Sequence, residues 1–194
     1  MLIVMCGLPA TGKTTLARAF GRQTGAVHLR VDTIEQAVVR SGFGQHPLGP
    51  VGYAVGYALA EDQLRQGFTV VAESVNPLAV TRQAWREVAA RVGVPCAEVE
   101  VVCSDPAEHR RRAAARSTDI PDLRLPDWDD IVGRAYDPWD REHIIVDTAG
   151  RTVEQCLAGI RRELRQFLAA LPEVVRPRWD AVGPTSTAWN QRAD

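Results

Sequence analysis

The sequence predicts a three-layer α/β fold, with helices on both faces of a five-stranded parallel sheet. Short apolar runs alternate with helical segments along most of the chain, as in sheets whose parallel strands are joined by helical crossovers. The first apolar run, residues 2–5, leads straight into a glycine-rich turn, which is typical of a buried parallel strand that feeds a helix. With 194 residues and a formal net charge of -1, the chain suits one globular domain.

The predicted elements follow one another in alternating order. Strands are expected at residues 2–5, 27–31, 69–72, 97–102 and 143–146. Helices are expected at residues 14–23, 33–40, 51–66, 80–92, from Pro106 onward, 129–135 and 152–171. Right-handed crossovers would distribute these helices over both faces of the sheet. We therefore predict a domain over residues 1–171, followed by a tail, residues 172–194, that wraps the surface or is partly disordered.

Composition argues against several classes of protein. The apolar run from Met1 to Cys6 is too short to span a bilayer, so we expect a cytoplasmic protein without a membrane partner. The four cysteines and four histidines show none of the spacings of metal ligands. The chain is not basic overall, which makes nucleic acid a less favoured partner.

A nucleotide-binding motif follows the first predicted strand. It matches G-x-x-x-x-G-K-[ST] at every position and comprises Gly7, Leu8, Pro9, Ala10, Thr11, Gly12, Lys13, Thr14 and Thr15. Its glycines let backbone N–H groups surround a phosphate at the N-terminus of the next helix. Lys13 then reaches the β- and γ-phosphates, and the Thr14 hydroxyl binds Mg²⁺. The motif therefore predicts binding of ATP together with Mg²⁺.

The motif contains the only lysine of the chain. Of the 23 Lys and Arg residues, all except Lys13 are arginine. A compact ammonium on a flexible stem enters a narrow phosphate site that a planar guanidinium does not fit. The lone lysine therefore marks this position as functional, independently of the motif.

Other residues must indicate how the nucleotide is used. A GTPase reads guanine with an N-K-x-D segment, and neither Asn76 nor Asn190 precedes a lysine. A mechanical ATPase usually has a longer chain and a hydrophobic strand that ends in Asp-Glu, which this sequence lacks. These observations favour a kinase for a small acceptor. A regulatory module that binds ATP without transferring phosphate is the alternative from another class.

Asp32 ends the second predicted strand, whose carboxyl end adjoins that of the first. A carboxylate at this position can accept the proton of an acceptor hydroxyl or orient that hydroxyl. Asp32 also suits the N-cap of a helix that starts at Thr33. The two roles are compatible, and we expect the catalytic one.

The motif and the segment that begins Val31-Asp32 resemble those of small P-loop kinases. This group includes chloramphenicol phosphotransferase, zeta-toxin-like kinases, polynucleotide 5′-kinase domains and AAA-type ATP-binding proteins. The resemblance covers about residues 1–171 and implies a P-loop NTPase fold in which Asp32 is the base. Polynucleotide kinases commonly have Asp-x-x-Arg here, whereas this chain has Glu35, which disfavours a nucleic-acid acceptor.

The segment after the third predicted strand is similar to the Asp-x-Thr-Asn of the same group. It runs from Glu73 to Asn76 and is followed by Arg82. The resemblance implies that Glu73 holds a magnesium-bound water or orients the acceptor, and a strand-end salt bridge is the structural alternative. It also implies that Asn76 and Arg82 contact the acceptor.

The helix opened by Pro106 carries Arg112 and Arg116 on one face. Similar kinases place arginines of this helix over the transferred phosphoryl group, so we expect both to be catalytic; a solvated basic helix is the structural alternative. The proline-rich residues 117–140 would form a lid, with Arg116 at its hinge and in contact with ATP. Asp147 and Thr148 resemble the segment that lines adenine in related kinases.

The acceptor is expected between Asp32 and the helices that flank residues 41–52. Tyr53 and Tyr57 lie one helical turn apart and would line this pocket, although core packing is the commoner role of such a pair. An aromatic-lined pocket suits a sugar, nucleoside or antibiotic. We therefore predict a small-molecule O-phosphotransferase, with a polynucleotide 5′-hydroxyl kinase as the alternative enzyme.

Overall fold

The structure, a computed structural model, describes residues 1–172 and confirms the predicted fold class. Its strands are β1 (Leu2–Cys6), β2 (Val27–Arg30), β3 (Val70–Glu73), β4 (Cys96–Val102) and β5 (Ile144–Asp147). Its helices are α1 (Lys13–Thr24), α2 (Val31–Arg40), α3 (Val51–Arg65), α4 (Ala79–Val92), α5 (Pro106–Ala115), α6 (Trp128–Val132) and α7 (Val153–Ala169). The predicted tail lies outside the described residues, apart from Pro172.

The strands form one sheet in the order β2-β3-β1-β4-β5, and every neighbouring pair is parallel. All side chains of the central strand β1 are buried. At the carboxyl edge of the sheet, Met5 pairs with Glu73, and Glu73 pairs with Arg30. Because parallel strands end at the same edge, this register brings the glycine-rich loop, Glu73 and the start of α2 together.

Two apolar clusters attach the helices to the sheet. Successive side chains of a strand point to opposite faces, so Ile3 and Met5 pack with α1 and α7, while Leu2 and Val4 pack with α3 and α4. Both faces are therefore buried, as expected for a parallel sheet. No helix within residues 1–172 is long and apolar enough to cross a membrane.

The start of α2 differs from the prediction and changes the position of Asp32. The helix begins at Val31 instead of Thr33, and Arg30 is its N-cap residue. The Val31 side chain is buried in the core, and this packing draws the first helical turn onto the sheet two residues earlier. Asp32 therefore lies in the first turn of α2, and the alternative role as N-cap residue is wrong for it.

Candidate functional site

The loop between β1 and α1 is shaped by glycine. Gly7 has a φ of +130°, and a Cβ atom there would lie 2.2 Å from the Val101 carbonyl oxygen, so only glycine fits. Gly12, with a φ of +99°, is the N-cap of α1 and provides no side-chain cap. The first N–H groups of α1 therefore have no side-chain cap and can donate to a ligand. They lie at the positive end of the helix dipole, where a phosphate is stabilised.

Lys13 is the buried positive charge of this loop. Its Nζ atom donates a hydrogen bond to the Leu8 carbonyl oxygen at 2.9 Å, and only 7% of the residue is exposed. Burial lowers the pKa of Lys13, and the carboxylates of Glu73 and Asp32 oppose this shift. The flexible side chain therefore holds an ammonium at the centre of the loop. A bound phosphate oxygen would replace the Leu8 carbonyl as its hydrogen-bond partner.

Glu73 connects the loop to the sheet. Its Oε1 atom accepts a hydrogen bond from the Thr14 hydroxyl, and its Oε2 atom lies 2.8 Å from Nε2 of His28. Burial alone would raise the pKa of Glu73, but the His28 hydrogen bond, the Lys13 charge and the Thr14 hydroxyl together lower it. This buried carboxylate thus stays ionised beside the Thr14 hydroxyl, and the pair offers oxygen ligands of the kind that Mg²⁺ prefers.

One cavity of about 980 Å³ joins this loop to the start of α2. Six motif residues line it, namely Pro9, Ala10, Gly12, Lys13, Thr14 and Thr15. Gly7, Leu8 and Thr11 support the loop from behind. Asp32 and Glu35 line the far end of the cavity. The volume lies at the upper end of the range for small-molecule sites, which suits two substrates bound side by side.

Arginines and carboxylates alternate around the far end. Nη1 of Arg30 donates to Asp119 at 3.0 Å, and Nη2 lies 3.7 Å from Asp32. Arg18 also donates to Asp119. Arg30 is therefore a largely buried cation that links the start of α2 to the segment after α5.

Arg112 lies in the last turn of α5 and Arg116 is the C-cap residue, and the two arginines have different surroundings. Arg112 donates to the Thr148 hydroxyl at 2.7 Å and to the Thr148 carbonyl at 2.9 Å, and it pairs with Glu108. Arg116 is half-buried, lines the cavity and has no hydrogen bond or ion pair within residues 1–172. Burial lowers the pKa of Arg116, whereas the charge of Asp32 raises it. Arg116 is thus the cation available to a ligand, and Arg112 is already engaged.

The loop after β5 supports the other end of the cavity. The Thr148 hydroxyl donates to the Thr11 carbonyl at 2.9 Å, which ties this loop to the glycine-rich loop. Asp147 does not line the cavity; it accepts hydrogen bonds from the N–H groups of Ser104 and Ala149 at 3.0 and 3.1 Å. Asp147 therefore shapes the turn, and only Thr148 of the predicted pair faces the nucleotide end.

Comparison with known proteins identifies the family. A family model described as AAA domain matches residues 2–134, which is more than half of the chain. The chain belongs to this family. A search of curated protein sequences finds no match.

Solved structures with the same fold are P-loop kinases and related nucleotide-binding proteins. A sugar kinase from Janibacter sp. is 14% identical with a TM-score of 0.62, over 87% of this chain and 95% of that one. An APS kinase from Mycobacterium tuberculosis, in complex with AMPPNP and APS, is 17% identical with a TM-score of 0.60, over 84% and 96%. Kti12 from Chaetomium thermophilum, in complex with ADP-AlF3, is 20% identical with a TM-score of 0.63, over 89% and 100%. At these identities the likeness shows the P-loop kinase fold.

The structure places four predicted acceptor contacts outside the cavity. Tyr57 donates to the Thr81 carbonyl at 3.2 Å and packs edge-on against Trp85, with ring centroids 4.5 Å apart. The Tyr53 hydroxyl accepts a hydrogen bond from the Asn76 N–H at 3.1 Å. Both tyrosines face the interior because α3 turns this side toward α4. The expectation of an aromatic-lined pocket is therefore wrong.

Asn76 and Arg82 are likewise buried in the protein. The Asn76 side-chain amide lies 3.2 Å from Sγ of Cys6. Arg82 is 0% exposed, donates to the carbonyls of Asp137 and Pro138 at 3.0 and 2.9 Å, and lies over the Trp139 ring. Neither side chain reaches the cavity, so Arg82 anchors the segment before β5 instead of contacting the acceptor.

The predicted lid, residues 117–140, has more anchors than its proline content indicated. Ile131 of α6 is fully buried, and the Trp128 ring packs edge-on against His109. The buried His109 in turn lies 2.8 Å from the Pro9 carbonyl oxygen. The lid therefore packs on α5 and on the glycine-rich loop, so its position is linked to the loop that the motif predicted.

Several lining residues were not predicted as parts of the site. At the far end these are Glu35, His46, Arg124, Asp130 and Arg134, and near Thr148 they are Arg151, Val153 and Cys156. His28, which contacts Glu73, was also missed. These residues belong to no sequence motif, and the signal that could have found Glu35 was its position one helical turn after Asp32.

Proposed function

We propose that this protein is an ATP-dependent kinase that transfers the γ-phosphate of ATP to a hydroxyl group of a small molecule. The observation that carries this proposal is the single cavity that joins the glycine-rich loop to Asp32, with Arg116 on its wall. A nucleotide at one end and an acceptor at the other would share that space. The sugar kinase and APS kinase with the same fold support a small acceptor.

The loop and its surroundings would bind the nucleotide. The free N–H groups of the first turn of α1 and the Lys13 ammonium face the position of the β- and γ-phosphates. Thr148 and the residues after it lie where the base would be. Since Lys13 is buried, its contacts with phosphate oxygens are strengthened by the low local dielectric.

The Thr14 hydroxyl and the Glu73 carboxylate fit Mg²⁺, which takes oxygen ligands and keeps several of its waters. Within residues 1–172 no cluster of three or more His, Cys, Asp or Glu side chains could hold a metal, so phosphate and water would complete the shell. Mg²⁺ bound here would neutralise phosphate charge. The Glu73 carboxylate, which His28 and Thr14 hold in place, would orient a water.

Asp32 and Arg116 would act at the transferred group. The acceptor oxygen bonds to the γ-phosphorus while the bond to the β–γ bridging oxygen breaks, and the acceptor proton moves to the Asp32 carboxylate. Arg116, which has no ion pair among the described residues, would balance the charge that develops on the equatorial oxygens.

The test is a screen for acceptor-stimulated ADP release, with the phosphorylated product identified by mass spectrometry. The compounds are sugars, alditols, nucleosides, aminoglycosides, aromatic alcohols and 5′-hydroxyl oligonucleotides. We expect a small hydroxyl compound to stimulate ADP release and to gain one phosphate. Phosphorylation of the oligonucleotide alone would replace this proposal with a polynucleotide kinase. ATP binding with no product from any compound would favour a regulatory module.

A further inference from the structure

Two carboxyl groups face the acceptor end of the cavity from the same helix. Asp32 and Glu35 are three residues apart in α2, so they share one helical face, and both line the cavity. Asp32 has the role of base in the proposed function. Glu35 has no role in that mechanism, although it lies one turn farther from the glycine-rich loop.

Close packing holds Glu35 in place. A Cβ atom on Gly52 of α3 would lie 2.2 Å from Cγ and 2.6 Å from Oε1 of Glu35, so only glycine allows this contact. Within residues 1–172 the Glu35 carboxyl makes no hydrogen bond and no ion pair, and Asp32 has only the 3.7 Å contact with Arg30. Two positioned carboxyl groups therefore keep their hydrogen-bonding capacity for a ligand.

The charges around Glu35 favour its neutral form. Burial and then the neighbouring Asp32 charge raise the pKa of Glu35 to about 7, and Arg134 opposes them. The other titratable groups near it are the Tyr53 hydroxyl on α3 and His46 at the cavity wall. Below pH 7 Glu35 is mostly protonated and can donate one hydrogen bond, while the Asp32 carboxylate accepts one.

The remaining walls of the cavity combine polar side chains with apolar ones such as Leu123 and Leu125. Among the described residues that line the cavity there is no Phe, Tyr or Trp side chain. A flat aromatic acceptor would find no ring to stack on, whereas an acceptor with several hydroxyl groups would find donors and acceptors on all sides. The arginines Arg30, Arg124 and Arg134 add donors on the walls.

On the basis of the proposed function, we infer that Glu35 binds a hydroxyl next to the one that is phosphorylated, and that the acceptor is a polyol such as a sugar or an alditol. Asp32 contacts the reacting hydroxyl, and Glu35 donates to the oxygen of its neighbour. Adjacent hydroxyls of a polyol are spaced to contact side chains one helical turn apart. Glu35 thus determines specificity and Asp32 performs the chemistry.

The test compares acceptors that differ in one hydroxyl. The pairs are ribose with deoxyribose, glucose with deoxyglucose, and glycerol with propane-1,3-diol, each measured by ADP release and product mass. For the best pair we expect kcat/KM to be about 10-fold higher for the polyol, which is the value of one hydrogen bond. Glu35→Ala should lower kcat/KM for the polyol by about 10-fold and so remove this preference. Glu87→Gln, on the exposed face of α4, is the matched control.

The dependence of kcat/KM on pH distinguishes a contact between Glu35 and the acceptor from a purely structural role of Glu35. Because the Glu35 carboxyl loses its proton as the pH rises through about 7, kcat/KM for the polyol should fall above that pH. Glu35→Gln keeps a neutral donor of the same shape, so it should retain activity and lose this fall. The profile of the poorer acceptor should be the same in the wild type and in Glu35→Gln. Should Glu35→Ala fail to fold, the profile of Glu35→Gln still decides.

The possible failures can be told apart. If product forms but Glu35→Ala lowers kcat/KM equally for both members of a pair, or if an aromatic alcohol is the best acceptor, the inference about Glu35 is wrong and the kinase stands. If no compound in either panel is phosphorylated although ATP binds, the proposed function is wrong and the inference falls with it.

Discussion

The donor end of the cavity is built from consecutive residues, whereas the acceptor end is assembled from residues that lie far apart in the chain. At the donor end, residues 7–15 supply the loop, the ammonium and the hydroxyl together. At the acceptor end, Asp32 and Glu35 come from one helix, and His46 and Arg134 come from two different loops. A site formed by consecutive residues can be recognised as a sequence motif, whereas a site formed by the packing of distant residues cannot.

The difference also extends to electrostatics. The donor end has one buried ammonium balanced by the carboxylates of Glu73 and Asp32. The acceptor end has several arginines and carboxyl groups; within residues 1–172 Arg30 pairs with Asp119, whereas Glu35 and Arg116 have no ion pair. Changes at the donor end should therefore affect every acceptor alike, while changes at the acceptor end should depend on the compound used.

The largest effect is expected from Lys13→Arg. The substitution keeps the charge, but a planar guanidinium does not fit the space where Nζ lies 2.9 Å from the Leu8 carbonyl, so phosphoryl transfer should fall by about 10³. The loss should be the same for all acceptors. Steady-state kinetics with two acceptors check it, and circular dichroism confirms folding. Activity close to that of the wild type would mean that the lone lysine has no special meaning.

Asp32→Asn should leave ATP binding nearly unchanged and lower kcat by about 10², the usual contribution of a positioned base. The reason is that Asp32 lies at the acceptor end, and within residues 1–172 its one ion pair is the 3.7 Å contact with Arg30. Titration calorimetry with ATP and single-turnover kinetics separate the two effects. Loss of folding with no separable kinetic effect would assign Asp32 a purely structural role.

Arg116→Ala and Arg112→Ala form a matched pair at the C-terminal end of α5, where Arg112 lies in the last turn and Arg116 is the C-cap residue. Arg116 is free to contact ligand, so its loss should lower kcat by about 10-fold and change the Kd for ATP much less. Arg112 holds Thr148 at 2.7 Å, so its loss should weaken ATP binding and lower the Tm. Kinetics, titration calorimetry and thermal melting distinguish the two.

The wild-type protein and the Arg116→Ala variant also test whether residues 117–140 form a lid. Hydrogen exchange of residues 117–140 should slow when an ATP analogue and an acceptor are added. The slowing should be greatest between the anchors at Asp119 and Ile131. Equal protection with and without ligands, together with an Arg116→Ala effect on the Kd for ATP alone, would mean that Arg116 is a static nucleotide clamp.

The smallest effect on activity is expected from Tyr57→Phe. The substitution removes the hydrogen bond to the Thr81 carbonyl but keeps the ring packed against Trp85. It should lower the free energy of unfolding by about 1 kcal/mol and leave kcat and KM unchanged for every acceptor. Urea unfolding and steady-state kinetics measure both quantities. A rise in KM for one acceptor alone would mean that Tyr57 does contact the acceptor.

The fold and the donor end were open to prediction because their causes are local. The alternation of apolar runs indicated the strands, and the motif indicated the loop between β1 and α1. Resemblance pointed to Asn76 and Arg82, and helical spacing pointed to Tyr57, yet none of the three lines the cavity. Whether a side chain near the edge of a sheet faces a cavity or the core depends on how the neighbouring helix is rotated. Helix periodicity shows which side chains share a face, but it does not show which element that face packs against.

The sequence by itself determined the five-stranded α/β fold, the loop formed by Gly7, Gly12 and Lys13, and the place of Asp32 near it, since each depends on backbone conformation and on neighbours within a few residues. Only the tertiary structure decided that Glu35 lies against Gly52 at the cavity wall and that Arg82 lies under Trp139. Those positions depend on the docking of α3 and of the segment before β5, and contacts between segments distant in the chain are set by shape and burial.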